Sequence, residues 1–117
     1  MAVDVADKQG LLVLGVCRGM QFLSEMFGAP PQPISGHAGM RHPITLSDGT
    51  TREVNSYHRY GILSLPALWK ALAHAPDGSV EWMSHDNGKI HGIMWHPERE
   101  PLAVGEDIRF FRTVFGA

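Results

Sequence analysis

The stretch LLVLGVCRGMQFL, near the start of the chain, constrains the fold more than any other part of the sequence. Residues 11–16 form a continuous apolar run, which is typical of a strand buried on both faces of a sheet. From Arg18 the pattern changes, because Met20, Leu23 and Phe27 recur at the three- and four-residue spacing of a helix. A buried strand followed at once by a helix that packs on the same sheet predicts an α/β fold.

Two β-hairpins are predicted further along the chain. Strands over about 41–47 and 51–55 flank the pair DG at Asp48, which favours a tight hairpin turn. Two runs of alternating polarity then flank the tripeptide DNG at Asp86, which is a strong hairpin signal. The sequence therefore predicts antiparallel strands beside the buried strand.

Two further segments have less distinct patterns. Residues 66–75, PALWKALAHA, favour a helix by composition, but their short length and the following APDG turn also suit a strand. We expect a strand that starts near Leu68. The tail EDIRFFRTVFGA places Ile108, Phe111 and Phe115 on one helical face, which predicts a C-terminal helix.

Composition excludes several classes of function. A chain of 117 residues with 44% hydrophobic and 19% charged residues is typical of one globular domain. The net charge of −2 and the scattered lysines and arginines argue against nucleic-acid binding. No apolar run approaches the ~20 residues of a membrane span, and the start MAVDVADKQG does not resemble a secretory signal. A single cysteine forms no internal disulfide, so we expect a cytoplasmic location.

The motif G-x-C-x-G, from Gly15 to Gly19, marks the junction between the predicted strand and helix. In its serine form this motif lifts a nucleophile off the sheet on a strained turn, and glycines on both sides avoid backbone collisions. A thiol at a helix N-terminus is favoured as thiolate, and the backbone N–H of Arg18 faces a developing oxyanion. Cys17 is therefore a candidate nucleophile, and a small buried core residue is the alternative.

A candidate base follows in the segment MWHPERE. A thiol nucleophile needs an imidazole to take and return a proton, and the imidazole needs a carboxylate to fix its tautomer. His96 ends a predicted strand, and Glu98 lies just beyond the stiff Pro97. A His-x-Glu pair by itself is weak support, because most such pairs are surface residues.

Taken in order, the segments GVCRGMQ, VNSYH and GIMWHPE resemble the class I glutamine amidotransferase and γ-glutamyl hydrolase family. The resemblance covers nearly the whole chain. The wording is most similar to γ-glutamyl-γ-aminobutyrate hydrolases and γ-glutamyl-CDP-amidate hydrolases, with a slight preference for the second kind.

The resemblance implies a cysteine hydrolase that forms a thioester with a γ-glutamyl amide or glutamine and requires no cofactor. It implies Cys17 as nucleophile, His96 as acid and base, and Glu98 as the group that orients His96. The oxyanion would be held by the backbone N–H of Arg18. The residues implied to border the glutamyl group are Gln21, Ser56, Tyr57 and His58.

The chain departs from the family pattern before the elbow, where only ten residues precede the LLVLG run. The resemblance therefore implies a partial flavodoxin-like three-layer sandwich that lacks its N-terminal strands and helices, with residues 1–117 as the C-terminal part of the domain. The uncovered sheet would be closed by a missing N-terminal segment or by a homodimer. Two other functions stay open: the glutaminase subunit of an amidotransferase, and a non-catalytic remnant that self-associates.

The remaining histidines show no metal-site spacing. We therefore predict no metal site, although His85 and His91 flank one hairpin turn. The resemblance places His58 near the pocket, where its role is structural or substrate-binding. A binding role for His37 and His42, in the loop after the elbow helix, also stays open. Arg18 is expected either to contact an anionic part of the substrate or to pair with an acid behind the elbow.

Overall fold

The computed structural model describes residues 13–96, and the fold is α/β as predicted. The elements in chain order are β1 (Val13–Val16), α1 (Arg18–Met26), β2 (Gln32–Pro33), β3 (Ala38–Leu46), β4 (Thr51–Tyr57), β5 (Tyr60–Gly61), β6 (Trp69–His74), β7 (Val80–His85) and β8 (Ile90–Ile93). Six strands form one sheet in the order β1-β8-β7-β6-β3-β4, and β2 pairs with β5 separately. The β1–β8 pair is parallel, whereas the other pairs are antiparallel.

The end of the second hairpin separates the core into two clusters by the alternation of a strand. Ile90 and Met94 pack with Met20 and Leu23 of α1 in one cluster. The intervening positions, such as Ile93, belong to a second cluster with the buried tryptophans Trp82 and Trp95. The sheet is therefore apolar on both faces, as the unbroken hydrophobic run of β1 predicts.

Both predicted hairpins are confirmed. Asp48 accepts a hydrogen bond from the backbone N–H of Thr50 at 2.9 Å, and Gly49 adopts a φ of 88° that glycine tolerates best. The ambiguous segment is a strand, β6, as expected, and it begins directly after Leu68. The helix predicted for the tail and the residue Glu98 lie outside the described residues.

The helix α1 begins and ends where the sequence predicted. None of the helices in residues 13–96 has the length and apolar character needed to cross a membrane.

Candidate active site

Cys17 occupies a strained turn between β1 and α1. Its φ and ψ are 53° and −99°, in a region that side-chain-bearing residues adopt rarely and at a cost of about 1–3 kcal/mol. Its backbone N–H donates to the carbonyl of Ile93 at 2.7 Å, and its own carbonyl accepts from the N–H of Gln21 at 3.0 Å. These two bonds tie the turn to β8 on one side and to the first turn of α1 on the other.

The two glycines of the motif have different roles. A Cβ at Gly15 would lie 2.7 Å from the backbone carbon of Gly19 and 2.8 Å from the side chain of Leu23. A Cβ at Gly19 would meet nothing within 4 Å among the described residues. The prediction that both positions exclude a side chain is therefore wrong for Gly19, because its side faces open space while its backbone is approached by β1.

A cavity of about 280 Å³ opens beside the elbow. Cys17 is only 8% exposed but lines this cavity, so its largely buried thiol borders accessible space. Gln21 also lines it, and its amide donates to the carbonyl of Tyr60 at 3.1 Å. The other lining residues are Arg18, Tyr57, His58 and Arg59. Cys17, Arg18, Gln21, Tyr57 and His58 are thus brought together as the sequence predicted.

His96 lies at the same edge of the sheet as Cys17. Because β1 and β8 are parallel and Val16 pairs with Ile93, the residues that follow both strands emerge at one end. Tyr57 connects the two, since it lines the cavity while its ring centroid is 5.9 Å from that of His96 in an edge-on arrangement.

Asn55 fixes the backbone of His96. The N–H of His96 donates to Oδ1 of Asn55 at 2.8 Å, and Nδ2 of Asn55 donates to the carbonyl of His96 at 2.8 Å. Asn55 is buried on β4, where a buried amide requires such partners. Sequence analysis missed this role, although the segment VNSYH that carries Asn55 was singled out.

The expectation that Ser56 borders the substrate finds no support in the cavity. Ser56 is fully buried and absent from the cavity lining. Its hydroxyl lies 3.4 Å from Nδ1 of His37 instead. The reason is strand alternation, which turns Ser56 to the opposite side of β4 from Tyr57.

A second polar group lies behind the cavity wall. One ligand-type atom from each of His37, His42, His58 and Glu81 lies within 4.8 Å of the other three. We call these four residues the histidine cluster. Sequence spacing gave no sign of it, because its members come from four separate segments.

Asp77 supports the histidine cluster from outside. Its Oδ2 accepts a hydrogen bond from Nε2 of His37 at 2.7 Å. Burial, the largest influence on the pKa of Asp77, would raise it, but hydrogen bonds from Ser79 and the contact with His37 together lower that pKa to about 2. Asp77 is therefore an anion at neutral pH.

The comparison with known sequences agrees with the elbow geometry. The sequence model of the family described as "Glutamine amidotransferase class-I" matches residues 2–114. The chain belongs to the class-I glutamine amidotransferase family.

Individual members of this family match over most of the chain. The γ-glutamyl-CDP-amidate hydrolase of Campylobacter jejuni is 32% identical over 98 residues, covering 84% of this chain and 48% of that protein. Anthranilate synthase component 2 of Archaeoglobus fulgidus is 32% identical over 127 aligned positions, covering 96% and 65% respectively. The chain thus spans about half to two thirds of the length of these relatives.

The fold matches solved family structures as well. The crystal structure of a putative GMP synthase glutaminase-family protein from Thermoplasma acidophilum superposes with a TM-score of 0.75 at 25% identity, covering 90% of this chain and 56% of that one. The predicted fold class, a partial class I glutamine amidotransferase domain, is confirmed.

Proposed function

We propose that this chain carries the catalytic half of a cysteine-dependent hydrolase of γ-glutamyl amides. The observation that carries the proposal is the backbone of Cys17, held with a φ of 53° at the junction of β1 and α1 beside an accessible cavity. Strain of this kind persists where the surrounding structure enforces it, and it is concentrated at reactive sites. The cytoplasmic location and the self-associated form stay predictions.

In the proposed reaction the thiolate sulfur of Cys17 attacks the γ-carbonyl carbon of the glutamyl group. The backbone N–H of Arg18, at the start of α1, stabilises the oxyanion that forms. His96 protonates the departing amine, which leaves a thioester on Cys17, and then takes a proton from the water that releases glutamate. Glu98 would hold the imidazole in the required orientation, a role that rests on its place in the segment WHPE.

The cavity wall favours an anionic substrate. Arg18 and Arg59 are both exposed and both line the cavity, so two positive charges stand at its surface. Gln21 and Tyr57 offer polar groups nearer the thiol. A γ-glutamyl group joined to an anionic leaving group, as in the name of the Campylobacter jejuni relative, fits this charge pattern.

A second candidate is a glutaminase that supplies ammonia to a synthase partner. The match to anthranilate synthase component 2 over 96% of the chain favours it, as does the structural likeness to the putative GMP synthase protein. The two candidates share the Cys17 chemistry and differ in whether glutamine or a larger γ-glutamyl amide is the substrate, and in the need for a partner.

Glutamate release from a panel of γ-glutamyl amides and from glutamine tests both candidates. We expect release from a γ-glutamyl amide without any partner, and a loss of about 10⁴–10⁶-fold in kcat/KM for Cys17→Ala. His74→Gln, at an exposed position on β6, is the matched control and should keep full activity. Release from glutamine alone, rising when a synthase partner is added, would favour the second candidate. Undiminished release by Cys17→Ala would reject both.

A further inference from the structure

The histidine cluster has the composition and spacing of a metal site. Oε2 of Glu81 lies 3.4 Å from Nε2 of His58, 3.9 Å from Nε2 of His42 and 3.9 Å from Nδ1 of His37. Tetrahedral zinc with bonds of ~2.0–2.1 Å holds its N and O ligands about 3.3 Å apart. The four atoms therefore stand close to a tetrahedral arrangement, and small side-chain movements would complete it.

The outward nitrogens of the three imidazoles are already fixed by partners. Nδ1 of His42 donates to the carbonyl of Pro43, and Nδ1 of His58 donates to the carbonyl of Tyr60, each at 3.0 Å. Nε2 of His37 donates to Asp77 at 2.7 Å. Because carbonyls and carboxylates only accept, each outward nitrogen carries the proton and each inward nitrogen presents a lone pair. Metal-binding histidines are oriented by outer partners in this way.

The inward atoms lack hydrogen bonds that would explain their burial. Nε2 of His42, Nε2 of His58 and both carboxylate oxygens of Glu81 are buried and make no hydrogen bond to any of residues 13–96. The side chain of Glu81 is 0% exposed and that of His58 is 1% exposed. The hydroxyl of Ser56 reaches only His37, at the long distance of 3.4 Å. A buried carboxylate without donors requires a cation close by.

We propose that His37, His42, His58 and Glu81 bind one divalent transition-metal ion of the Zn²⁺ class. Three imidazoles and one carboxylate suit zinc and its neighbours better than calcium or magnesium, which prefer all-oxygen sites. The side chain of His42, 10% exposed, gives the ion a route from solvent. Four protein ligands fill a tetrahedron, so the ion holds structure together and leaves no position for substrate.

The site would brace the wall of the elbow cavity. His58 belongs to both groups, since it lines the cavity and points Nε2 at Glu81. Its neighbours Tyr57, Arg59 and Tyr60 form the wall of the cavity opposite α1. A metal ion would therefore fasten the β4–β5 connection, through His58, to β3 and β7.

Metal titration of the 117-residue chain, stripped with a chelator, tests the proposal without any activity assay. Cobalt(II) is the probe, because four-coordinate cobalt bound to imidazoles gives intense visible absorption. We expect one equivalent of cobalt to bind, one equivalent of zinc to displace it, and zinc to raise the unfolding temperature. A wild-type chain that folds by circular dichroism yet binds no cobalt or zinc would overturn the proposal and leave a proton-sharing cluster in its place.

Variants locate the ion. Glu81→Gln and His42→Gln should each abolish the visible cobalt spectrum, and Asp77→Asn should weaken cobalt binding by about 10–100-fold through loss of an outer partner. His74→Gln and Cys17→Ser are matched controls that keep the spectrum, the second because it removes the thiol as a competing ligand. A spectrum that survives in Glu81→Gln and His42→Gln, or disappears in Cys17→Ser, would place the ion elsewhere and contradict the assignment.

Discussion

The elbow cavity and the histidine cluster are two polar regions that share one residue, His58, and differ in every other physical respect. At the elbow a single strained residue, Cys17, borders about 280 Å³ of accessible space. In the histidine cluster four side chains crowd within 4.8 Å of one another, with no room for a substrate. A reactive group needs space and stored strain, whereas a structural ion needs a closed set of lone pairs. The two regions therefore suit different tasks.

The sharpest test of this difference is a pair of variants with opposite effects. Cys17→Ala should lower glutamate release by about 10⁴-fold or more and leave zinc binding intact. Glu81→Gln should abolish zinc binding and keep measurable glutamate release, with a higher KM because the cavity wall is less firmly held. Parallel steady-state kinetics and zinc titrations of both variants check this. If both properties were lost in both variants, the two regions would be one site.

A smaller loss is expected at Asn55, which positions His96 without touching substrate. Asn55→Ala removes both hydrogen bonds to the backbone of His96, and a displacement of about 1 Å at a catalytic group can cost ~10²-fold in rate. We expect kcat to fall far more than KM rises, and the pH profile of kcat/KM to change. An unaltered pH profile with only a lower unfolding temperature would indicate a purely structural amide.

The glycines of the elbow separate strain from packing. Gly15→Ala should destabilise the chain by about 1–3 kcal/mol, because its Cβ meets the backbone of Gly19. Gly19→Ala should stabilise it by about 0.5–1 kcal/mol, because alanine favours the helix and its Cβ has open space. Urea unfolding of both variants measures the difference. Equal destabilisation would show that α1 and β1 approach each other in another way.

The smallest effect concerns His91, a buried histidine whose nitrogens are both satisfied. Nδ1 accepts from Nε1–H of Trp82 at 3.1 Å, so protonation there would oppose two hydrogens. Burial lowers the pKa of His91 below 6.5, and Lys70 lowers it further. The unfolded chain therefore takes up a proton before the folded chain does, and stability falls as the pH drops below about 6.5.

His91→Gln should flatten this dependence, and the exposed His74 replaced by Gln should leave it unchanged. Thermal unfolding between about pH 8 and pH 5 measures both slopes. A slope in His91→Gln as steep as in the unaltered chain would assign the pH effect to other groups.

The elbow could be predicted because all of its information is local. Five consecutive residues, from Gly15 to Gly19, determine the turn, and the apolar run and helical spacing on either side identify the strand and the helix. Hairpin signals were equally local. The role of Gly19 was misjudged because periodicity does not reveal which side of a helix faces open space.

The histidine cluster and Asn55 could not be predicted because their contacts are long-range. Asn55 and His96 lie 41 residues apart in sequence, and nothing near either residue indicates the other. The cluster joins a loop, two strands and the β4–β5 connection, so no linear spacing resembles a metal motif. Only the pairing of β3, β4, β6 and β7 brings its imidazoles to Glu81.

Covalent labelling with an electrophilic glutamine analogue, followed by mass spectrometry, tests the proposed role of Cys17 most directly. The account predicts a single adduct on Cys17, formed faster than with the same electrophile lacking the glutamyl group and suppressed by glutamine. No adduct on Cys17, or one that forms equally fast with the plain electrophile and resists glutamine, would contradict it.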